Sequence, residues 1–184
     1  MPQSTLAILE DGDLRLRAPH KNDVNARYAL GNTPEIQHMF GVHFDACEPI
    51  TQDSAQAWVN LQLATQNLWI IELGKRLIGN VFLHTINMQD RRASLALGIL
   101  DPDIFGQGYG TRVLHMVLHH AFDVIGLHRL SLRVLDYNTR AIATYKKVGF
   151  VQEGVEREAA LVGGDRHDDV LMGLIASEYE GRAA

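Results

Sequence analysis

Apolar residues recur along this chain with two periods, and the change from one to the other divides it into elements. From Gly110 onward, Val113, Leu114, Val117, Leu118, Ala121, Phe122 and Ile125 return every three to four residues, which predicts one strongly amphipathic helix packed on a sheet. Just before it, Ala93, Leu95, Leu97 and Ile99 alternate with Ser94, Ala96, Gly98 and Leu100. That is a strand with one packed face and one small-residue face, on which a ligand has room. Leu68 to Leu73 and Leu77 to His84 are apolar runs separated by Gly74-Lys75-Arg76, the pattern of a hairpin.

The remaining pattern is simpler. Leu6 to Leu9 and Leu14 to Arg17 flank the turn Glu10-Asp11-Gly12-Asp13, so the chain opens with two short strands. Val24 and Tyr28, then Ile36, Met39 and Phe40, predict two short helices interrupted around Gly31 to Pro34, with Gly41 to Pro49 a loop. Thr51 to Thr65 reads as a helix with a polar start, in which Trp58 is a packing anchor. Arg129 to Val134 is a strand, and Asn138 to Val148 a short helix stopped at Gly149. Phe150 to Ala160 and Asp168 to Ile175 close the chain as a hairpin about Gly163-Gly164. No repeat, low-complexity tract or linker divides it, so residues 1–184 are expected to form one α/β domain.

Composition narrows the classes. With 184 residues, 46% of them hydrophobic, the chain can bury one good core. A net charge of -5 argues against a nucleic-acid surface, which shows a basic stripe. Cys47 is the lone cysteine, so no internal disulfide forms; it reads as an ordinary small thiol in a reduced compartment. No apolar stretch approaches the about 18 residues of a membrane span, and the first ten residues lack a leader pattern. The expectation is a soluble, cytoplasmic protein with no membrane or nucleic-acid partner.

Between the alternating strand and the long helix stands Gly106-Gln107-Gly108-Tyr109-Gly110-Thr111. Glycines permit backbone that a Cβ would obstruct, and a helix beginning here turns unpaired amides toward one spot, which suits a diphosphate. The glycines fall at relative positions one, three and five, not one, three and six as in the dinucleotide fingerprint, and Gly110-Thr111-Arg112 lacks the P-loop lysine. His115, His119 and His120 lie on the same helix, with 115 and 119 on one face, but no third ligand or HExxH-type glutamate accompanies them. They are expected on its exposed side, with no metal.

Taken with this loop, the order strand, Asp101-Pro102, glycine stretch, long helix, strand, Asn138-Thr139-Arg140-Ala141, Tyr145-Lys146-Lys147-Val148-Gly149-Phe150 strongly resembles the GNAT superfamily of acetyl-CoA-dependent N-acetyltransferases. The resemblance covers essentially the whole chain and is nearest to the branch of ribosomal-protein N-terminal and spermidine acetyltransferases. It implies an α/β (α+β) fold with a mixed β-sheet flanked by helices and splayed beside the fourth strand, where the pantetheine arm enters. It also implies that Gly98, Ile99 and Leu100 meet that arm. Gly106, Gln107, Gly108, Tyr109, Gly110 and Thr111 would hold the diphosphate by backbone, and Asn138 and Arg140 would add a second cofactor contact. Tyr145 would be the general acid for the departing thiolate. Acetyl-CoA is then the cosubstrate and a primary amine the acceptor: a protein N-terminus, a polyamine or a small molecule. Whether the chain acts alone or as a homodimer stays open.

Two departures bear on the chemistry. Phe105 stands where the family usually has glutamine or arginine, a change that backbone contacts survive. Many relatives carry a glutamate base on the fourth strand, yet Arg92 to Leu100 holds no carboxylate, so the proton acceptor is unassigned. That gap leaves, as the alternative, a non-catalytic acyl-CoA-binding sensor or interaction domain of the same fold. Glu153, Glu156, Glu158, Asp165, Asp168 and Asp169 make an acidic final hairpin that could receive a polyamine or basic peptide, or simply be a solvated surface.

Overall fold

The computed structural model describes residues 6–180. In chain order the elements are β1 (Leu9–Asp11), β2 (Leu14–Arg17), α1 (Asp23–Leu30), α2 (Pro34–Met39), α3 (Gln52–Ala64), β3 (Leu68–Leu73) and β4 (Arg76–Asn87). They continue with β5 (Arg92–Ile99), α4 (Tyr109–His119), β6 (Arg129–Leu135), α5 (Thr139–Lys147), β7 (Val151–Val162), β8 (Asp165–Ile175) and α6 (Ala176–Glu180). The strands form one sheet of eight in the order β1-β2-β3-β4-β5-β6-β8-β7.

Strand β3 shows why helices cover both faces. Successive side chains of a strand point to opposite sides, and here both sets are buried. Trp69 and Ile71 join the main core with Val113, Leu114, Val117 and Leu118 of α4. Leu68 and Ile70 instead pack with Leu77, Leu30 and Trp58, beneath α1 and α3. Trp58 is the expected packing residue, with the Arg27 guanidinium 5.5 Å from its ring centre.

Local chemistry sets the element ends. Thr51 and Ser54 cap α3 reciprocally: Ser54 N–H donates to Thr51 Oγ1 at 3.1 Å, and Thr51 N–H to Ser54 Oγ at 2.9 Å. The final hairpin is longer than expected, because β7 runs to Val162 and β8 starts at Asp165, leaving only Gly163-Gly164 at the turn. The long helix differs in another way. After His119 it widens into a π-type turn over His120–Val124, and Ala121 and Phe122 stay buried there. His120 is not on the exposed side with His115 and His119: seven positions after Val113 and three after Val117, it falls at the edge of the apolar stripe and is buried, edge-on to Trp69 at 5.4 Å.

The sheet opens where its two halves meet. Strand β5 pairs with β4 as far as Gly79↔Ile99, while β6 pairs with β8 as far as Leu135↔Asp169. Between them β5 and β6 share a parallel register at only three positions, Arg92↔Arg129, Ala93↔Leu130 and Ser94↔Ser131. Beyond Ser94 the two strands diverge, and the edge of β5 facing β6 keeps no ladder partner. The splay thus lies beside the strand expected, Arg92–Ile99, which becomes the fifth when both strands of the opening hairpin are counted.

Candidate active site

The cleft opened by the splay is a cavity of about 590 Å³. Leu95, Leu97 and Ile99 line it from β5, and Val134 and Leu135 from β6. The glycine turn supplies Gly106, Gly108, Tyr109, Gly110 and Thr111, and α5 with its cap supplies Asn138, Arg140 and Tyr145.

At the glycine turn, Gly106 and Gly108 take positive φ of 76° and 85°, conformations in which a side chain is strained, and a Cβ at either would meet nothing within 4 Å. Gly108 caps α4, and the first intrahelical bond runs from Arg112 N–H to Gly108 O at 3.1 Å. Helix geometry leaves the amides of Tyr109, Gly110 and Thr111 free, an anion cradle strengthened by the helix dipole. Arg112 anchors that end to the β1–β2 turn, with Nε 2.7 Å from Asp11 Oδ2 and Nη1 3.0 Å from Asp13 Oδ1.

Tyr145 reaches the cavity from α5. It is buried, with its ring 5.8 Å from that of Phe150 in a T-shaped pair, and burial pushes its hydroxyl up to about 12. The phenol therefore arrives neutral, as a donor. Asn138 both caps α5, its Oδ1 accepting from Ala141 N–H at 3.2 Å, and reaches Met39 O through Nδ2 at 3.5 Å. Next to it, Tyr137 Oη donates to His38 O at 2.8 Å. These two bonds hold α2 across the opening, so that Ile36, Met39 and Phe40 become part of the wall.

Three of the residues singled out in the sequence stand beside the cavity, outside its wall. Gly98 is buried under Phe40, and a Cβ there would lie 3.2 Å from Phe40 Cζ and 3.0 Å from Asn80 Oδ1. The small-residue face of β5 is thus filled at Gly98, while Ala96 of that face lines the cleft together with Leu95, Leu97 and Ile99 of the other. Leu100 spends its amide on Ile78 O at 2.8 Å. Gln107 turns its side-chain amide to Asp103 O at 2.7 Å.

The wall also includes residues that sequence reasoning did not place there. Arg133 and Asp169 lie on neighbouring strands that are 36 positions apart in sequence and become adjacent only because β8 lies between β6 and β7. The rest of the acidic hairpin is largely occupied: Glu153 pairs with Arg129, Glu156 sits 3.2 Å from Arg133, and Asp168 Oδ1 accepts from Glu158 N–H at 2.8 Å. His119 pairs with Asp123 at 2.6 Å. No cluster of three histidine, cysteine or carboxylate side chains able to hold a metal occurs among the described residues. No helix among them is long and apolar enough to cross a membrane.

Comparison with known proteins agrees with this geometry. Residues 13–151 match the family model described as an acetyltransferase (GNAT) domain. The spermidine N(1)-acetyltransferase of Vibrio cholerae serotype O1 is 28% identical over 186 residues, covering 98% of each chain. A crystal structure of spermidine N-acetyltransferase from Vibrio cholerae, in complex with CoA and spermine, superposes with a TM-score of 0.74 at 26% identity, over 92% of this chain and 99% of that one. A GNAT-family acetyltransferase from Bacillus anthracis shares the fold with a TM-score of 0.79 at 17% identity, over 94% and 100% of the two chains.

Proposed function

The chain belongs to the GNAT acetyltransferases and moves an acetyl group from acetyl-CoA to an amine; on that premise we propose that both substrates meet in the cleft between β5 and β6, and that the acceptor is a primary amine. The diphosphate is held by the free amides of Tyr109, Gly110 and Thr111, with Gly106 and Gly108 giving the close approach. The pantetheine arm runs along the unpartnered edge of β5 beside Ile99, and Arg140 and Asn138 flank the cofactor from the α5 side. What supports this most is the convergence on one cleft of three groups: an anion-binding helix start, an unpaired strand edge and a buried tyrosine.

The chemistry follows from those groups. The amine nitrogen attacks the thioester carbonyl, and an N–H on the free edge of β5 stabilises the oxyanion that forms. As the carbon–sulfur bond breaks, the Tyr145 hydroxyl gives its proton to the sulfur. A phenol at about 12 is a weaker acid than a thiol at about 8.5, so in isolation this transfer is uphill by about 5 kcal/mol. It must therefore accompany bond cleavage, and it is completed when the tyrosinate regains a proton from the acylated nitrogen.

The acceptor panel to test is spermidine, simple alkylamines and short peptides with free N-termini, spermidine entering because a relative of this chain is named for it. Release of CoA thiol, with a 42-dalton gain on the amine by mass spectrometry (about one acetyl for one proton), is the expected result. CoA binding without transfer to any of these amines would overturn the proposal.

A further inference from the structure

The acceptor must lose a proton before it attacks, and β5 supplies no carboxylate to take it. We infer that Asp169 receives the acceptor's ammonium and accepts that proton. This rests on the acetyl-transfer reading of the same cleft.

The two faces of the sheet divide the work. Leu95, Leu130, Leu132 and Val134 point to the α4 side, where they share a core with Tyr145. Ser94 and Ser131 point the other way, their hydroxyls 3.2 Å apart, and Arg133 and Leu135 follow Ser131 on that face by strand alternation. Asp169 is the cross-strand partner of Leu135, so it too lies on this second face, where α2 covers the opening. The cleft therefore passes through the sheet. The cofactor groups lie on the α4–α5 side, and the acceptor is left the α2 side, past Asp169.

Charge at that entrance favours a cation. Asp169 is only 8% exposed, and it is the one carboxylate in the cavity wall among the described residues. Its ionic partner is Arg133, 3.4 Å away, but the same nitrogen is nearer Glu156, at 3.2 Å. One guanidinium thus serves two carboxylates, and the cluster keeps one negative charge. The other titratable groups close by are Tyr137, His38, His167 and Asp136: the Tyr137 ring stacks on His38 at 4.6 Å and meets His167 edge-on at 4.8 Å, and His167 lies 3.8 Å from Asp136. The Tyr137 hydroxyl is pushed up by burial and by Asp136 and Asp169, and so stays neutral. A primary ammonium completes the cluster.

The protons balance. The ammonium gives one to the Asp169 carboxylate, which passes it to solvent, and the free amine attacks. The second leaves the acylated nitrogen to restore Tyr145, which has protonated the thiolate. The net reaction releases one proton with the amide and free CoA.

The test uses the full chain with whichever amine of the panel it acetylates best. Asp169→Asn should lower kcat/KM for that amine at pH 7 by about 10²- to 10⁴-fold while leaving acetyl-CoA affinity unchanged by calorimetry. The variant should regain activity as pH rises toward the amine's own pKa, because it depends on free amine in solution. Arg133→Gln removes the competing cation and should lower the amine KM, the opposite of what loss of a structural ion pair would do. An Asp169→Asn variant with wild-type kcat/KM and intact cofactor binding overturns the inference alone, as does a parallel loss in both variants. Failure of the wild type to acetylate any amine overturns the acetyl-transfer reading, and this inference with it.

Discussion

The guanidinium of Arg140 lies 3.7 Å from the ring centre of Phe105, joining α5 to the residue that opens the glycine turn. An aromatic face attracts a cation without neutralising it. Phe105, unable to contact phosphate itself, thus holds a positive charge next to the residue that begins the glycine turn, in the same cavity wall as Gly106 and Gly108. Arg140→Ala should weaken CoA binding, and weaken it less at high salt, where the charge is screened. Phe105→Ala should cost only about two- to fivefold, the worth of an exposed cation–π contact of roughly 0.5–1 kcal/mol. Calorimetry at two ionic strengths decides: a loss in Arg140→Ala that ignores salt would deny the arginine an electrostatic role.

Gly108 has φ of 85° and open space where a Cβ would stand. Gly108→Asp would force a side chain into a strained conformation and place a carboxylate against the diphosphate. CoA affinity should fall by at least about tenfold, since charge and strain each contribute on the order of 1 kcal/mol. Gly108→Ala, which adds the strain alone, should lose less. Unchanged affinity in a folded Gly108→Asp protein would remove the phosphate from this loop.

Much of this site was legible in the sequence, because its parts are local. A glycine run between an alternating strand and a 3.6-period helix specifies a turn with free amides, and Asn138 one residue before a helix specifies a cap. The opening in the sheet was not legible by period: nothing in Arg92 to Ile99 says that pairing with β6 stops at Ser94. Asp169 was one of six acidic hairpin residues in the sequence, and nothing there set it apart or placed it beside Arg133, since their proximity depends on the strand order. His120 was misplaced because it was grouped with His115 and His119 by residue type, although it stands seven positions after Val113 and three after Val117, at the edge of the apolar stripe.

His120 carries a consequence for acid stability. Burial, and secondarily His119, hold its imidazole below the usual value. The unfolded chain therefore takes up a proton at about pH 6.5 that the folded state resists. The stability this histidine permits is present above that pH and is lost as pH falls. His84, also lowered by burial, acts in the same direction. The urea midpoint should drop between pH 7.5 and pH 5.5, and drop less in His120→Gln. Equal drops in both proteins would contradict the assignment.

Tyr145 predicts the opposite limb. Its folded value of about 12 exceeds the unfolded value of about 10, so the folded state holds the proton more firmly. The associated stability is complete below about pH 10 and disappears as pH rises toward 12, by up to about 3 kcal/mol. Tyr137 and Tyr179 are raised too, in the same sense. Denaturant titrations of wild type and Tyr145→Phe should accordingly converge with rising pH, the wild type losing stability faster. A constant difference from pH 9 to pH 12 would mean that the buried phenol does not titrate as its surroundings require.

The same substitution tests the chemistry. Tyr145→Phe keeps the ring against Phe150 and removes the hydroxyl proposed to protonate the leaving sulfur. Cofactor affinity should hardly change, because the site proposed for the diphosphate is the start of α4, not α5. Loss of general acid catalysis is typically worth about 10²- to 10⁴-fold, and it should fall on kcat with acceptor KM little altered. A leaving group that needs no proton separates this role from simple packing: with an acetyl thioester of a more acidic thiol, the deficit of Tyr145→Phe should shrink, since a more stable thiolate departs unaided. A deficit of the same size for both thioesters, with chemistry limiting turnover, would return Tyr145 to a packing residue and leave the thiolate to be protonated by water.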